Sequence, residues 1–117
     1  MKMKKELFIQ ELESFIRTLD FIQEEQAFIK RKLTDYIDSL IDISLIGWAE
    51  DMQQQILNRE AALQLLKKDI ILLKASGIIE PILLKKDKQQ VVYLEHEFMH
   101  WKHAVDQKLD SVNSVEY

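Results

Sequence analysis

Beginning at Phe8, residues recur along the chain at alternating intervals of four and three: Phe8, Leu12, Phe15, Leu19, Ile22, Gln26, Ile29, Leu33, Tyr36, Leu40 and Ile43. All but Gln26 are apolar. A strand returns to the same face every second residue, whereas a helix of 3.6 residues per turn returns every third or fourth. Five successive repeats of this kind describe one long amphipathic helix with a heptad seam. The spacing predicts a helix over about residues 4–43, roughly 60 Å long at 1.5 Å rise per residue.

A second seam, Leu45, Ala49, Met52, Ile56, Arg59, Leu63, Leu66, Ile70 and Leu73, is out of phase with the first. The change of phase calls for a turn, and Asp42, Ser44 and Gly47 supply capping and turn residues there. The second helix is expected over 47–76, shorter than the first, whose end is then expected to project. Gly77 suits the left-handed position that closes a helix, and Pro81 suits a first helical turn, where its missing N–H has no partner to lose. A third seam, Leu84, Asp87, Val91, Leu94, Phe98, Trp101, Val105, Lys108, Val112 and Val115, predicts a helix over 81–112 and a frayed tail. A rival reading makes residues 82–94 a β-hairpin around Asp87 and Lys88, but the turn lacks glycine or asparagine.

Only two glycines and one proline interrupt the 117 residues. Few breakers mean few, long elements. Apolar residues make up 47% and charged residues 31%, a globular balance. The expectation is one all-α domain over 1–117, an elongated antiparallel three-helix bundle running up, down and up.

The net charge of −4 arises from 16 basic and 20 acidic side chains mixed along the chain. No basic stripe of the kind that tracks a phosphate backbone is present, so nucleic acid is not an expected partner. The absence of cysteine removes disulfides and thiolate metal sites, in keeping with a cytoplasmic location. Glu6, Gln10, Glu11 and Glu13 interrupt any signal-peptide core, and Lys74, Glu80 and Pro81 interrupt the most apolar later stretch. Neither secretion nor membrane insertion is expected.

One segment resembles a catalytic motif. His96, Glu97 and His100 satisfy His-Glu-x-x-His, in which two histidines one helical turn apart hold zinc and the glutamate activates a bound water. With Phe98 and Trp101 facing the core, however, helical geometry turns His96, His100 and His103 toward solvent. The outer face of a small bundle is expected to offer no walled cleft for a hydrolase. The glycine turn that precedes a third histidine in some zinc peptidases is also missing, and no second Glu-x-x-His exists for a di-iron site. The favoured reading is three surface histidines without a cofactor. The alternative is a zinc-binding protein, or a zinc-dependent hydrolase, using His96, His100 and Glu97.

Two polar residues occupy seam positions. Gln26 reads either as a rim residue whose amide reaches solvent from a wide bundle or as a partner-selecting amide, with Gln64 the residue expected opposite it, since a buried amide is tolerated only when it is bonded. Arg59 is expected to pack its stem and to lay its guanidinium over Trp101 or reach an acid such as Asp35. Trp48 and Tyr93 read as core or end-plug aromatics. No serine stands near a histidine in sequence, and no glycine-rich phosphate loop exists. The functional expectation is therefore non-catalytic: a helical interaction protein that forms a homodimer or docks a helical partner through an apolar flank of the first helix at Ile16, Phe21, Phe28 and Ile37.

Overall fold

A computed structural model describes residues 4–39 and 43–114. It contains three helices, α1 (Lys5–Ser39), α2 (Ile43–Ser76) and α3 (Pro81–Ser114). Together they form an elongated three-helix bundle, the architecture expected from the seams. Residues 82–94 lie inside α3, which removes the hairpin reading. A run without a turn former has no means of reversing direction, and its helical seam prevails.

The helix limits differ from expectation chiefly at the first turn, and α3 runs two residues past its expected end, to Ser114. α2 begins at Ile43, so Gly47 lies within its opening turns, and the connection from α1 falls on residues 40–42, outside those described. Glycine lowers helix propensity by only about 1 kcal/mol, less than the packing of the helix that contains it supplies. The helices are 35, 34 and 34 residues long, so the expected projecting end of α1 is not formed. At the other connection, Gly77 adopts φ of 69° and Ser76 Oγ accepts from Ile78 N at 3.2 Å. An L-residue other than glycine would be strained at this point.

Interhelical pairs fix direction. Lys67 bonds Asp20, and Lys74 meets Glu13 at 3.1 Å, so seven residues down α1 correspond to seven up α2, an antiparallel pair. Gln53 Nε2 donates to Thr34 Oγ1 at 3.0 Å in the same register. Lys102 reaches Glu25 at 3.4 Å, joining α3 to α1. α2 and α3 each pack chiefly against α1 and touch one another least.

The core is the first seam almost unaltered: Phe8, Leu12, Phe15, Leu19, Ile22, Gln26, Ile29 and Leu33 are all buried. α2 contributes Ala49, Ile56, Leu63, Leu66 and Ile70; α3 contributes Leu84, Val91, Phe98, Trp101, Val105 and Leu109. Near its end the α3 seam moves from the expected Lys108 to Leu109, with Lys108 exposed. A spacing of four in place of three keeps the ammonium in water at no loss of apolar contact. Trp48 packs edge-on to Tyr36 with ring centroids 6.4 Å apart. Tyr93, expected as a core or end-plug aromatic, is instead 66% exposed. The seam places Leu94 at the partly buried position, and the preceding residue turns outward.

Candidate functional site

The helical signature of zinc peptidases is divided between two sides of α3. His96, His100 and His103 are exposed and line a shallow groove of about 670 Å³ between α1 and α3, together with Phe21 and Met99. The outer face thus carries a groove, but not a walled cleft. It is open along its length and walls nothing off from water. Glu97 faces the other way, toward α2, where Arg59 Nη2 meets its Oε1 at 2.8 Å. Among the described residues no three His, Cys, Asp or Glu side chains converge as a metal-binding group. A carboxylate paired with a guanidinium on one side of the helix is poorly placed to activate water held by histidines on the other.

Arg59 is the centre of a polar cluster at mid-bundle. Its guanidinium carbon lies 4.7 Å from the centroid of the Trp101 ring, as the sequence reading anticipated, but the acid it reaches is Glu97 rather than Asp35. The α2–α3 register explains the difference, since it places Glu97 one turn from Trp101 on the same edge of α3. Trp101 Nε1 in turn donates to Gln55 Oε1 at 2.8 Å. The two links, Arg59 to Glu97 and Gln55 to Trp101, run antiparallel and hold α3 against α2 where the two helices otherwise separate.

Beside this cluster lies a cavity of about 200 Å³ bordered by Ile22, Gln26, Asn58, Arg59, Ala62, Leu63, Leu94, Glu97 and Phe98. Gln26 is only 1% exposed, and its Oε1 has no hydrogen-bond partner among the described residues. The expected partner, Gln64, is exposed and does not bond it. The interhelical pairs set Gln26 opposite Ala61, almost a turn from the expected Leu63 and Gln64, and Gln64 turns outward.

Farther along, the space between α2 and α3 opens into a groove of about 550 Å³ lined by Ala62, Leu65, Leu66, Asp69, Lys86, Gln89, Gln90, Tyr93 and Leu94. Leu65 is 68% exposed at its edge, and Leu72, Ile78, Ile82 and Leu83 continue the exposed apolar residues toward the α2–α3 connection. Asp87, a seam position, is buried. Its carboxyl is held above the ordinary value of 3.8 by loss of hydration and by the charge of Asp69, against a smaller opposing pull from Lys86.

The four residues read as an interaction flank of α1 separate into two groups. Ile16 and Ile37 are partly buried and pack against the core, whereas Phe21 and Phe28 are 54% and 46% exposed. Five residues of helix turn Phe21 about 140° from Ile16, so the four do not make one face. Lys32 Nζ lies 4.9 Å from the centroid of Phe28 and covers part of that ring. Leu65, Leu72 and Ile82 lie off the seams, so seam spacing does not single them out. The signal lay in the apolar residues of the second and third helices that fall outside them. Comparison of the chain with models of protein families, with curated proteins and with solved structures returns no match in any of the three.

Proposed function

We propose that the protein is a non-catalytic helical interaction protein that associates with a second copy of itself by burying the groove between α2 and α3. The observation that carries this reading is the separation of these two helices, which leaves Leu65, Tyr93 and the apolar residues beyond them without cover. Soluble chains seldom leave such a contiguous patch open. Six side chains of this kind, Leu65, Leu72, Ile78, Ile82, Leu83 and Tyr93, offer on the order of 500 Å² of apolar area. With a polar rim, this approaches the roughly 800 Å² per partner of a stable interface.

A second copy is favoured over an unrelated helix by the charges that line the groove. Asp69 stands on α2 and Lys86 on α3, so a two-fold axis along the groove pairs each with the other residue of the second copy. The reading is of a cytoplasmic protein that uses neither metal nor nucleic acid. The experiment is disulfide trapping, for which a cysteine-free chain is well suited. An Asp69→Cys variant mixed with a Lys86→Cys variant under mild oxidation should give a crosslinked heterodimer in preference to either homodimer. Crosslinking no greater than that between two Leu57→Cys chains would refute the arrangement.

A further inference from the structure

The cavity around Gln26 is separate from the proposed interface in its chemistry. Five of its bordering residues, Ile22, Ala62, Leu63, Leu94 and Phe98, are apolar. Gln26 is buried and, among the described residues, lacks a partner for its amide oxygen. At the border, Arg59 and Glu97 neutralise one another. From these features we infer a binding site for a small neutral aromatic molecule that carries one hydroxyl, the phenol class of ligand.

Size, polarity and charge each contribute. An apolar cavity of about 150 Å³ admits a benzene ring, and this one measures about 200 Å³, enough for a ring with one substituent. On the side formed by Ile22, Ala62, Leu63, Leu94 and Phe98 a water finds no hydrogen-bond partner, so an apolar ring is the better occupant there. The Gln26 Oε1 is an acceptor without a partner among the described residues, and a phenolic hydroxyl can donate to it. The paired Arg59 and Glu97 leave no net charge to attract an ion, so the ligand is neutral. Phe98, on the border, gives the ring an aromatic neighbour for an offset or edge-on contact.

The test uses the full chain labelled with ¹⁵N, titrated with phenol and with benzene as probes. Phenol should shift the Gln26 side-chain amide and the backbone amides of Leu63 and Phe98 to saturation. Benzene should bind roughly three- to tenfold more weakly, the difference one hydrogen bond makes. Gln26→Leu should erase that preference. Ala62→Phe, which narrows the cavity from an exposed helical position, should abolish binding of both probes with the helical spectrum intact. The inference is overturned by phenol shifts that do not saturate, by equal affinity for the two probes, or by binding that survives Ala62→Phe. A Gln26 amide that contacts only long-lived water, with neither probe bound, overturns it too. The wild-type comparison decides the matter even where a variant fails to fold, and because Ala62 and Leu94 also line the α2–α3 groove, the titration is repeated on Leu65→Glu, the groove variant, which should bind phenol as the wild type does.

Discussion

Replacing Arg59 by leucine isolates the polar cluster that joins α2 to α3. Two interactions are lost. The ion pair with Glu97 spans 2.8 Å, but its side chains are 19% and 39% exposed, so solvent screening limits it to about 0.5 kcal/mol. The guanidinium over Trp101, at 4.7 Å and largely shielded, contributes about 1 kcal/mol. Leucine recovers part of the packing of the arginine stem, which leaves a net destabilisation of about 1 kcal/mol. In a chain of this size that lowers the melting temperature by about 4 °C. Urea unfolding followed by circular dichroism measures it directly. In 0.5 M salt, where the screening length falls to about 4 Å, the ion-pair share should shrink and the aromatic share should persist. Arg59→Lys should recover only part of the loss, since an ammonium lacks the planar fork and stacks less well. An Arg59→Leu variant as stable as the parent, or more so, would show that the charge merely reaches water past the aromatic ring.

Three further outcomes follow from single sites. Gln26→Leu removes a buried acceptor that has no partner among the described residues and should raise the stability of the ligand-free protein by about 1–2 kcal/mol, read from the urea midpoint. Gly47 sits in α2 with nothing within 4 Å of the position a Cβ would take; Gly47→Ala should stabilise by about 0.5–1 kcal/mol through helix propensity, read from thermal melts. Asp87 has a raised folded pKa, so its ionised form is disfavoured by folding. The associated penalty is absent below the unfolded value, grows as pH rises from there through the folded value, and is constant above it. Asp87→Asn should therefore be more stable than the parent at pH 7, and the difference should close at acid pH. A gain that is the same at both pH values would contradict burial of the charge as its cause.

The bundle was legible because one physical signal dominates it. The four-three spacing of the first seam names its buried residues from Phe8 to Leu33, Gln26 included, since a long helix has only one way to turn that stripe inward. Gly77 and Pro81 were equally legible, because each residue type suits few other backbone positions. The first turn was less so. Gly47 suggests a break, yet an exposed glycine near a helix start costs too little to impose one.

The sites were only partly legible. Arg59 over Trp101 follows from hairpin register, which sequence spacing gives to within about a turn. The choice of Glu97 over Asp35 depends on which edge of α3 approaches α2, and spacing alone does not give that. The gap between α2 and α3 has the same origin. Seams show that each helix has an apolar stripe but not how a third helix divides its contacts between the other two. The exposed residues at Leu65, Leu72 and Tyr93 acquire meaning only when that division is known.

Light scattering on the purified wild-type chain, over concentrations from about 1 to 100 μM, tests the interaction reading most directly, with Leu65→Glu alongside as a groove variant. At these concentrations a stable interface of standard size is occupied. The account predicts twice the chain mass for the wild type and a shift to the single-chain mass for Leu65→Glu, with helicity unchanged. A wild type that keeps the single-chain mass throughout, or a variant that dimerises as well as the wild type, would contradict it.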